Sequence, residues 1–318
     1  TRVQPKQKVG YALWKGGRRR SIVSALHPFE ALRSLPRIFR EPKEGRSVQA
    51  YYSRLLGERN YRDLLRHAFQ AVICQPADDF PAEALFRRKP RRKEVIKAFT
   101  FDQGLATIPE SIAAQPGLAV RTGQRIAAIA PEGDGFRLTL GSGETLSCGH
   151  LTLAVPPDAA ATLLPAGYEE VRAAVARIGI AETETLVLVL RNADLELRPI
   201  AGLIAVEAPF YSAVARDFLP DPAYRGFAFH FRPGALDESA QLADACTALG
   251  VAPERVVAQS RVRNRLPALR YGHAELVSRI DAGLAGKRLS LTGNWFVGIS
   301  MEDALTRSRT ESDRLFGH

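Results

Sequence analysis

The chain has 318 residues, 46% hydrophobic and 25% charged, a globular balance that excludes collagen-like, disulfide-scaffold and wholly disordered chains. Lys and Arg number 44 against 34 Asp and Glu, a net charge of +10. The longest apolar runs, such as Leu186 to Leu190, fall well short of the about 20 residues a membrane-spanning helix needs, and no apolar signal segment follows the first residues.

The charge is uneven. Residues 1–100 carry 23 basic and 9 acidic side chains, a balance of +14, whereas residues 101–318 carry 21 and 25, a balance of −4. One part of the molecule is therefore expected to face an anionic partner. The densest runs are Arg18-Arg19-Arg20 and Arg87 to Lys93. They read as solvated loops, as contacts to anionic lipid or to acidic substrate groups, or as nucleic-acid contacts. The last is disfavoured, because no interleaved aromatics or nucleic-acid motif accompany them. Cys74, Cys148 and Cys246 are far apart and form no CxxC pair. They read as isolated thiols of a reducing cytosol, without metal. The only Met is Met301 and the chain opens on Thr1, so a processed or longer polypeptide is expected.

In chain order, residues 8–23 read as two short strands around a Gly16-Gly17 turn, and 29–40, 47–57 and 61–74 as helices. A short helix runs from about Pro109 to Gln115. Residues 118–157 alternate apolar and polar side chains between turn signals at 132–135 and 141–143, the pattern of an antiparallel meander. Residues 158–176 read as helical. Strands are expected at 185–190, 202–208 and 226–231, helices at 237–249 and 273–284, a short buried strand at 289–292, and a last helix at 300–316.

The stretch that carries chemistry is KRLSLTGNWFVGISMEDALTRSR, residues 287–309. A strand runs into Gly293-Asn294, a loop containing Gly298 follows, and Ser300 with Asp303 resembles a capping box. Such a junction aims unpaired N–H groups and the positive end of a helix at an anion or an electron-rich ring oxygen.

This segment resembles the C-terminal flavin-binding motif of the flavin-containing amine oxidase superfamily, and most closely its protoporphyrinogen oxidase branch. The matching residues are Gly293, Asn294, Gly298, Met301 and Asp303. Upstream, Leu266, Pro267, Gly272 and His273 match that branch's Leu-Pro and Gly-His. Residues 99–115 resemble the family's Phe-x-x-x-Gly-Leu segment, with Gln103-Gly104 replacing Gly-Gly. Residues 120–129 resemble the adenine-contacting strand around Ile126, and 153–157 the strand end beside it at Val155. Leu269 stands where an aromatic is expected, with Tyr271 nearby.

The resemblance implies an α/β fold: the C-terminal part of a two-domain FAD-binding protein, with a mixed sheet, a β-meander and a helical substrate domain. It divides the chain into a basic helical insertion (1–98), a return to the FAD domain (99–157), a substrate-domain sheet with helices (158–286) and the C-terminal flavin strand, loop and helix (287–318). It implies FAD held by Ile126, Val155, Gly293, Asn294, Gly298, Ile299, Ser300 and Met301. It also implies hydride removal from a hydrophobic small molecule, with O₂ or a quinone as reoxidant. No Gly-x-Gly-x-x-Gly occurs between a strand and a helix, so the Rossmann-type pyrophosphate loop is expected from a missing segment or a partner chain. The alternative is a non-catalytic module docking on a partner chain or an anionic membrane. A cytoplasmic chain, peripheral at a membrane, fits either reading.

His273 stands as a substrate ligand or acid/base, or else as a cap or packed surface residue. No other His has a spaced partner, and no catalytic base or metal set is identified.

Overall fold

The computed structural model describes residues 3–34, 41–87, 93–96 and 99–317. Its largest element is a seven-stranded sheet built around β9. The strands in chain order are β1 (Val3–Pro5), β2 (Tyr11–Lys15), β3 (Arg18–Arg20), β4 (Phe99–Phe101), β5 (Ile126–Glu132), β6 (Gly135–Leu140), β7 (Thr145–Cys148), β8 (Leu151–Leu153), β9 (Gly179–Arg191), β10 (Gly202–Val206), β11 (Phe210–Ala215), β12 (Tyr224–Phe231), β13 (Val256–Ala268) and β14 (Leu289–Leu291). The helices are α1 (Pro28–Ser34), α2 (Val48–Leu56), α3 (Glu58–Asn60), α4 (Arg66–Ile73), α5 (Thr107–Ala113), α6 (Pro157–Leu163), α7 (Glu169–Val175), α8 (Glu238–Leu249), α9 (His273–Leu284) and α10 (Met301–Phe316). A π-helical turn, Tyr61–Leu65, joins α3 to α4.

The large sheet has the order β13-β9-β12-β11-β10-β2-β3, antiparallel except where β10 runs parallel to β2. Period-2 alternation gives it two unlike faces. On one face Leu186 and Leu188 lie opposite Phe229 and Phe227 in the β9–β12 ladder, with Leu190 and Phe231 on the same face, all fully buried. Phe210 meets Phe229 edge-on at 5.2 Å, and Ala245, Cys246, Ala248 and Leu249 of α8 close the same core. The opposite face carries Thr183, Thr185, Ser212 and His230, in register across β9, β12 and β11. There α4 lies against the sheet, and Ser212 donates to the Ala71 carbonyl at 3.2 Å. A polar face under a helix leaves room for a site.

A second core joins both ends of the chain. Tyr61, Phe69, Phe80 and Leu85 share one cluster with Leu151, Leu153, Leu289, Leu291, Trp295 and Phe296. β14 runs parallel to β8, with Leu289, Ser290 and Leu291 opposite Leu151, Thr152 and Leu153, and the Ser290 and Thr152 hydroxyls meet at 2.7 Å.

The expected mixed α/β architecture with a meander is present. Four expected details change. Only β5, β6 and β7 form the meander, because β8 leaves it to pair with β14. The strand expected from residue 120 begins at Ile126. Residues 158–176 form two helices, α6 and α7, because Pro165 and Gly167, the latter at φ +85°, interrupt the run. β11 and the 13-residue β13 were not expected. β13 is an edge strand whose Arg261, Arg263 and Arg265 hide its period; Arg263 and Arg265 pair with Glu182 and Asp158. Charged residues on an edge discourage further strand pairing. The helix expected at 29–40 is seen to Ser34, and residues 35–40 lie outside the described residues.

Candidate flavin-edge site

The junction after β14 is held from three sides. Gly293 has φ +145°, and a Cβ there would stand 2.7 Å from the Trp295 indole nitrogen. Only glycine lets the indole fold back so closely. That nitrogen donates to the Val155 carbonyl at 3.1 Å, and the indole stacks on Phe296 at 4.1 Å between centroids. The guanidinium of the buried Arg307 sits 3.9 Å from the Phe296 ring centre, and its Nε donates to the Leu291 carbonyl at 3.0 Å. His273 is buried, with Nε2 at 2.8 Å from the Trp295 carbonyl and 3.2 Å from that of Phe296. Carbonyls only accept, so Nε2 carries the proton. Burial, more than the opposing effect of these two bonds, holds the imidazole below its ordinary pKa. His273 thus braces the loop and packs, buried rather than at the surface as the second sequence reading expected.

Gly298 leads into α10. Its φ is not positive, so the left-handed backbone that sequence reasoning allowed for is not used. Its constraint is steric: a Cβ would lie 2.5 Å from Asp303 Oδ2. Asp303 closes the expected capping box. Its N–H donates to Ser300 Oγ at 3.1 Å, and the Ser300 N–H donates to Asp303 Oδ2 at 3.2 Å. Arg87 reaches Asp303 at 3.8 Å and the Val297 carbonyl at 3.4 Å. The one described guanidinium of the Arg87–Lys93 run therefore leans on this turn; residues 88–92 lie outside the described residues.

The turn meets the polar face of the sheet across a cavity of about 340 Å³. Asn294 and Ile299 form one wall; Cys74, Thr183, His230, Asn264 and Leu266 are opposite. Cys74 ends α4 in the left-handed region at φ +52°, a conformation that non-glycine residues keep mostly where surroundings enforce it. Burial pushes its thiol up to about 11, so it is neutral. Beside it, Gln75 donates to the Pro267 carbonyl at 3.1 Å and accepts from Arg270 at 3.1 Å.

Of the residues singled out in the sequence, Asn294 and Ile299 line this cavity. Gly293 and Gly298 shape the turn, Ser300 caps α10, and Met301 opens its first turn, 68% exposed. Val155 joins them through Trp295. Ile126 begins β5 in the meander and does not line the cavity. Sequence reasoning missed Trp295, Cys74, Thr185, His230 and Asn264. Trp295 had a signal, since it follows Gly293-Asn294 directly; the others are brought together only by strand register. A larger cavity of about 760 Å³ lies on the far side of the loop, against Tyr51, Tyr52 and Phe86, and it touches neither Asn294 nor Ile299. Among the described residues no three His, Cys, Asp or Glu are placed to hold a metal ion, and no helix is long and apolar enough to cross a membrane.

A buried parallel strand, a glycine-shaped turn and a capped helix facing a cavity under a mixed sheet define a flavin-binding fold. Residues 5–209, more than half of the chain, match the family of flavin containing amine oxidoreductases, and the chain belongs to that family. Solved structures share its fold. A putative protoporphyrinogen oxidase from Exiguobacterium sp. 255-15 superposes with TM-score 0.75 at 14% identity, over 98% of this chain and 82% of that one. Reduced UDP-galactopyranose mutase gives 0.71 at 18% identity, over 99% and 78%. Wild-type putrescine oxidase bound to putrescine gives 0.67 at 9% identity, over 100% and 83%.

The cofactor is FAD, and the residues present fit its ring end. The N-terminus of the 16-residue α10, the Asn294 amide and a cavity lining without carboxylates suit an electron-rich ring edge. A helix N-terminus stabilises such charge by about 0.3–2 kcal/mol. The fit does not extend to the pyrophosphate, for which the sequence has no Gly-x-Gly-x-x-Gly.

Proposed function

We propose that the protein is an FAD-dependent oxidoreductase that removes hydride from a hydrophobic small molecule held in the cavity of about 340 Å³. The observation that carries this reading is the meeting of Asn294 and Ile299, from the Gly-Asn turn, with the polar face of the sheet in that one cavity. When bound, FAD supplies the hydride-accepting ring, with O₂ or a quinone as the later electron acceptor. The chain's own part is position and electrostatics. Ile73, Leu266, Pro267 and Ile299 exclude water, and Asn294 offers an amide at the ring side of the cavity. The pyrophosphate cradle comes from a segment or partner chain beyond these 318 residues. Supporting this, β8 and β14 each pair on one edge only among the described residues, which leaves an open parallel edge.

The test is protein made from the complete gene. It should purify with a flavin spectrum, and a hydrophobic small-molecule substrate should bleach that spectrum without O₂. Purification free of flavin, with none taken up on adding FAD, would overturn the reading.

A second reading concerns where the chain sits. It docks on an anionic bilayer, through the segment from β3 to α1. Val23, Leu26, Phe29 and Leu32 recur every third residue and are exposed, Phe29 by 88% and Val23 by 71%. Arg18, Arg19, Arg20 and Arg33 flank them, all exposed and with no ion pair among the described residues. Apolar anchors rimmed by unpaired cations suit a lipid interface.

A further inference from the structure

The wall of the cavity opposite Asn294 holds a hydrogen-bond chain that none of the sequence motifs contains. Thr185 on β9 lies directly across from His230 on β12, and Asn264 reaches it from the edge strand β13. Asn264 Nδ2 donates to Thr185 Oγ1 at 2.8 Å, and Thr185 Oγ1 lies 3.0 Å from His230 Nδ1. Asn264 donates to the hydroxyl, and His230 Nδ1 is the hydroxyl's other partner. Assigned as the acceptor of the Thr185 hydroxyl, Nδ1 leaves the proton of the neutral ring on Nε2. Burial, reinforced by the positive charge of Arg216, keeps this ring neutral. His230 lines the cavity, and its Nε2 is not among the orphaned buried atoms.

We propose that His230 Nε2–H is the donor that orients the substrate, and that the substrate is an apolar molecule bearing a hydrogen-bond-accepting oxygen, a carbonyl or a carboxylate, rather than an alkylammonium ion. This rests on the oxidoreductase reading above and narrows its substrate class. The lining carries no carboxylate, so an ammonium entering there would be desolvated without a counter-ion. An acceptor oxygen instead finds a donor whose direction is set before binding, which lowers the ordering cost of association. His230 acts here as a positioning residue; no proton transfer is assigned to it.

Nuclear magnetic resonance of isotope-labelled, flavin-loaded protein from the complete gene tests this, because two-bond correlations of the imidazole report the tautomer directly. His230 should show a protonated Nε2 and a bare Nδ1. Benzamide and benzoate should each move the Nε2–H signal, and the tighter of the two tells carbonyl from carboxylate; toluene and benzylamine should leave it in place. His230→Phe should weaken the better oxygen ligand by about tenfold, the worth of one hydrogen bond, and leave toluene binding unchanged. Thr185→Val should release the tautomer into a mixture while the flavin spectrum persists. Should the His230 variant fail to fold, Asn264→Ala, on the edge strand, reads the same tautomer shift. A protonated Nδ1, or benzylamine binding more tightly than both oxygen ligands, would overturn the proposal. Retained flavin in that outcome would leave the oxidoreductase reading standing, whereas lost flavin would remove that reading instead.

Discussion

The indole nitrogen of Trp295 donates to the backbone carbonyl of Val155, 3.1 Å away and 140 positions earlier in the chain. This bond ties the flavin-edge turn to the strand end leading into α6, so the two stretches singled out separately in the sequence become one rigid unit.

Trp295→Phe should therefore loosen the turn more than its loss of volume suggests. Phenylalanine keeps a ring against Phe296 but leaves the Val155 carbonyl without its donor. An unmet buried acceptor costs about 1–3 kcal/mol. The expected outcome is a lower urea midpoint with an unchanged slope, and weaker flavin retention. An unchanged midpoint would mean that water replaces the indole there.

Gly298→Ala should act through Asp303. Its Cβ would come within 2.5 Å of Asp303 Oδ2, so the carboxylate must leave the capping box. Loss of a cap costs about 1 kcal/mol. In a Ser300→Ala background, where the box is already broken, the same change should cost clearly less. Denaturation of the two single variants and the double variant measures that difference; strictly additive costs would show that Gly298 and the cap are independent.

Local chemistry explains why this turn was legible in the sequence and the cavity was not. Glycines 293 and 298, Ser300 and Asp303 lie within eleven positions of one another, and their roles follow from backbone geometry alone. The wall opposite draws Cys74 from the end of α4, Thr183 from β9, His230 from β12 and Asn264 from β13, with Thr185 bonded to the last two. Their meeting depends on the register of three strands and on α4 crossing the sheet, which no short-range pattern records. β13 escaped for a related reason: an edge strand open to water on most of its length has no apolar alternation to read. The large aromatic face of β12, in contrast, announced itself through Phe227, Phe229 and Phe231.

Acid should weaken the fold as the pH falls through the histidine range. His67, His230 and His273 are all held below the ordinary value of 6.5, each chiefly by burial. A histidine depressed in the folded state is protonated first in the unfolded chain. Its stabilising contribution is thus complete above pH 6.5 and is lost as pH falls from there towards the folded value. Urea midpoints measured at about pH 7.5, 6.5 and 5.5 should fall in that order, starting near the unperturbed histidine pKa. His273→Gln keeps a donor for the Trp295 carbonyl and removes one titrating ring, so its loss between the two extremes should be smaller. Equal losses for both proteins would place the acid sensitivity elsewhere.

Membrane docking through β3 and α1 makes a two-part prediction. The apolar part is Phe29 and Leu32, 88% and 65% exposed on a seven-residue helix. The charged part is Arg18, Arg19 and Arg20, which have no ion pair among the described residues. Each cation near an anionic surface adds about 1 kcal/mol, and salt weakens this as the Debye length shrinks from about 10 Å at 0.1 M to about 3 Å at 1 M. Sedimentation with phosphatidylserine-containing vesicles should therefore exceed that with phosphatidylcholine alone, and the excess should vanish at high salt. Replacing the three arginines by serine should remove the salt-sensitive excess. Phe29→Ser with Leu32→Ser should lower binding to both kinds of vesicle, because burying an apolar side chain contributes about 1.5–3 kcal/mol whatever the headgroup. Glu30 must be kept in both variants, since its carboxylate accepts the Arg59 and Asn60 N–H groups at 3.2 and 3.0 Å and holds α1 against α3. Binding that is equal on both vesicle types and untouched by either set of changes would exclude this surface as the docking site.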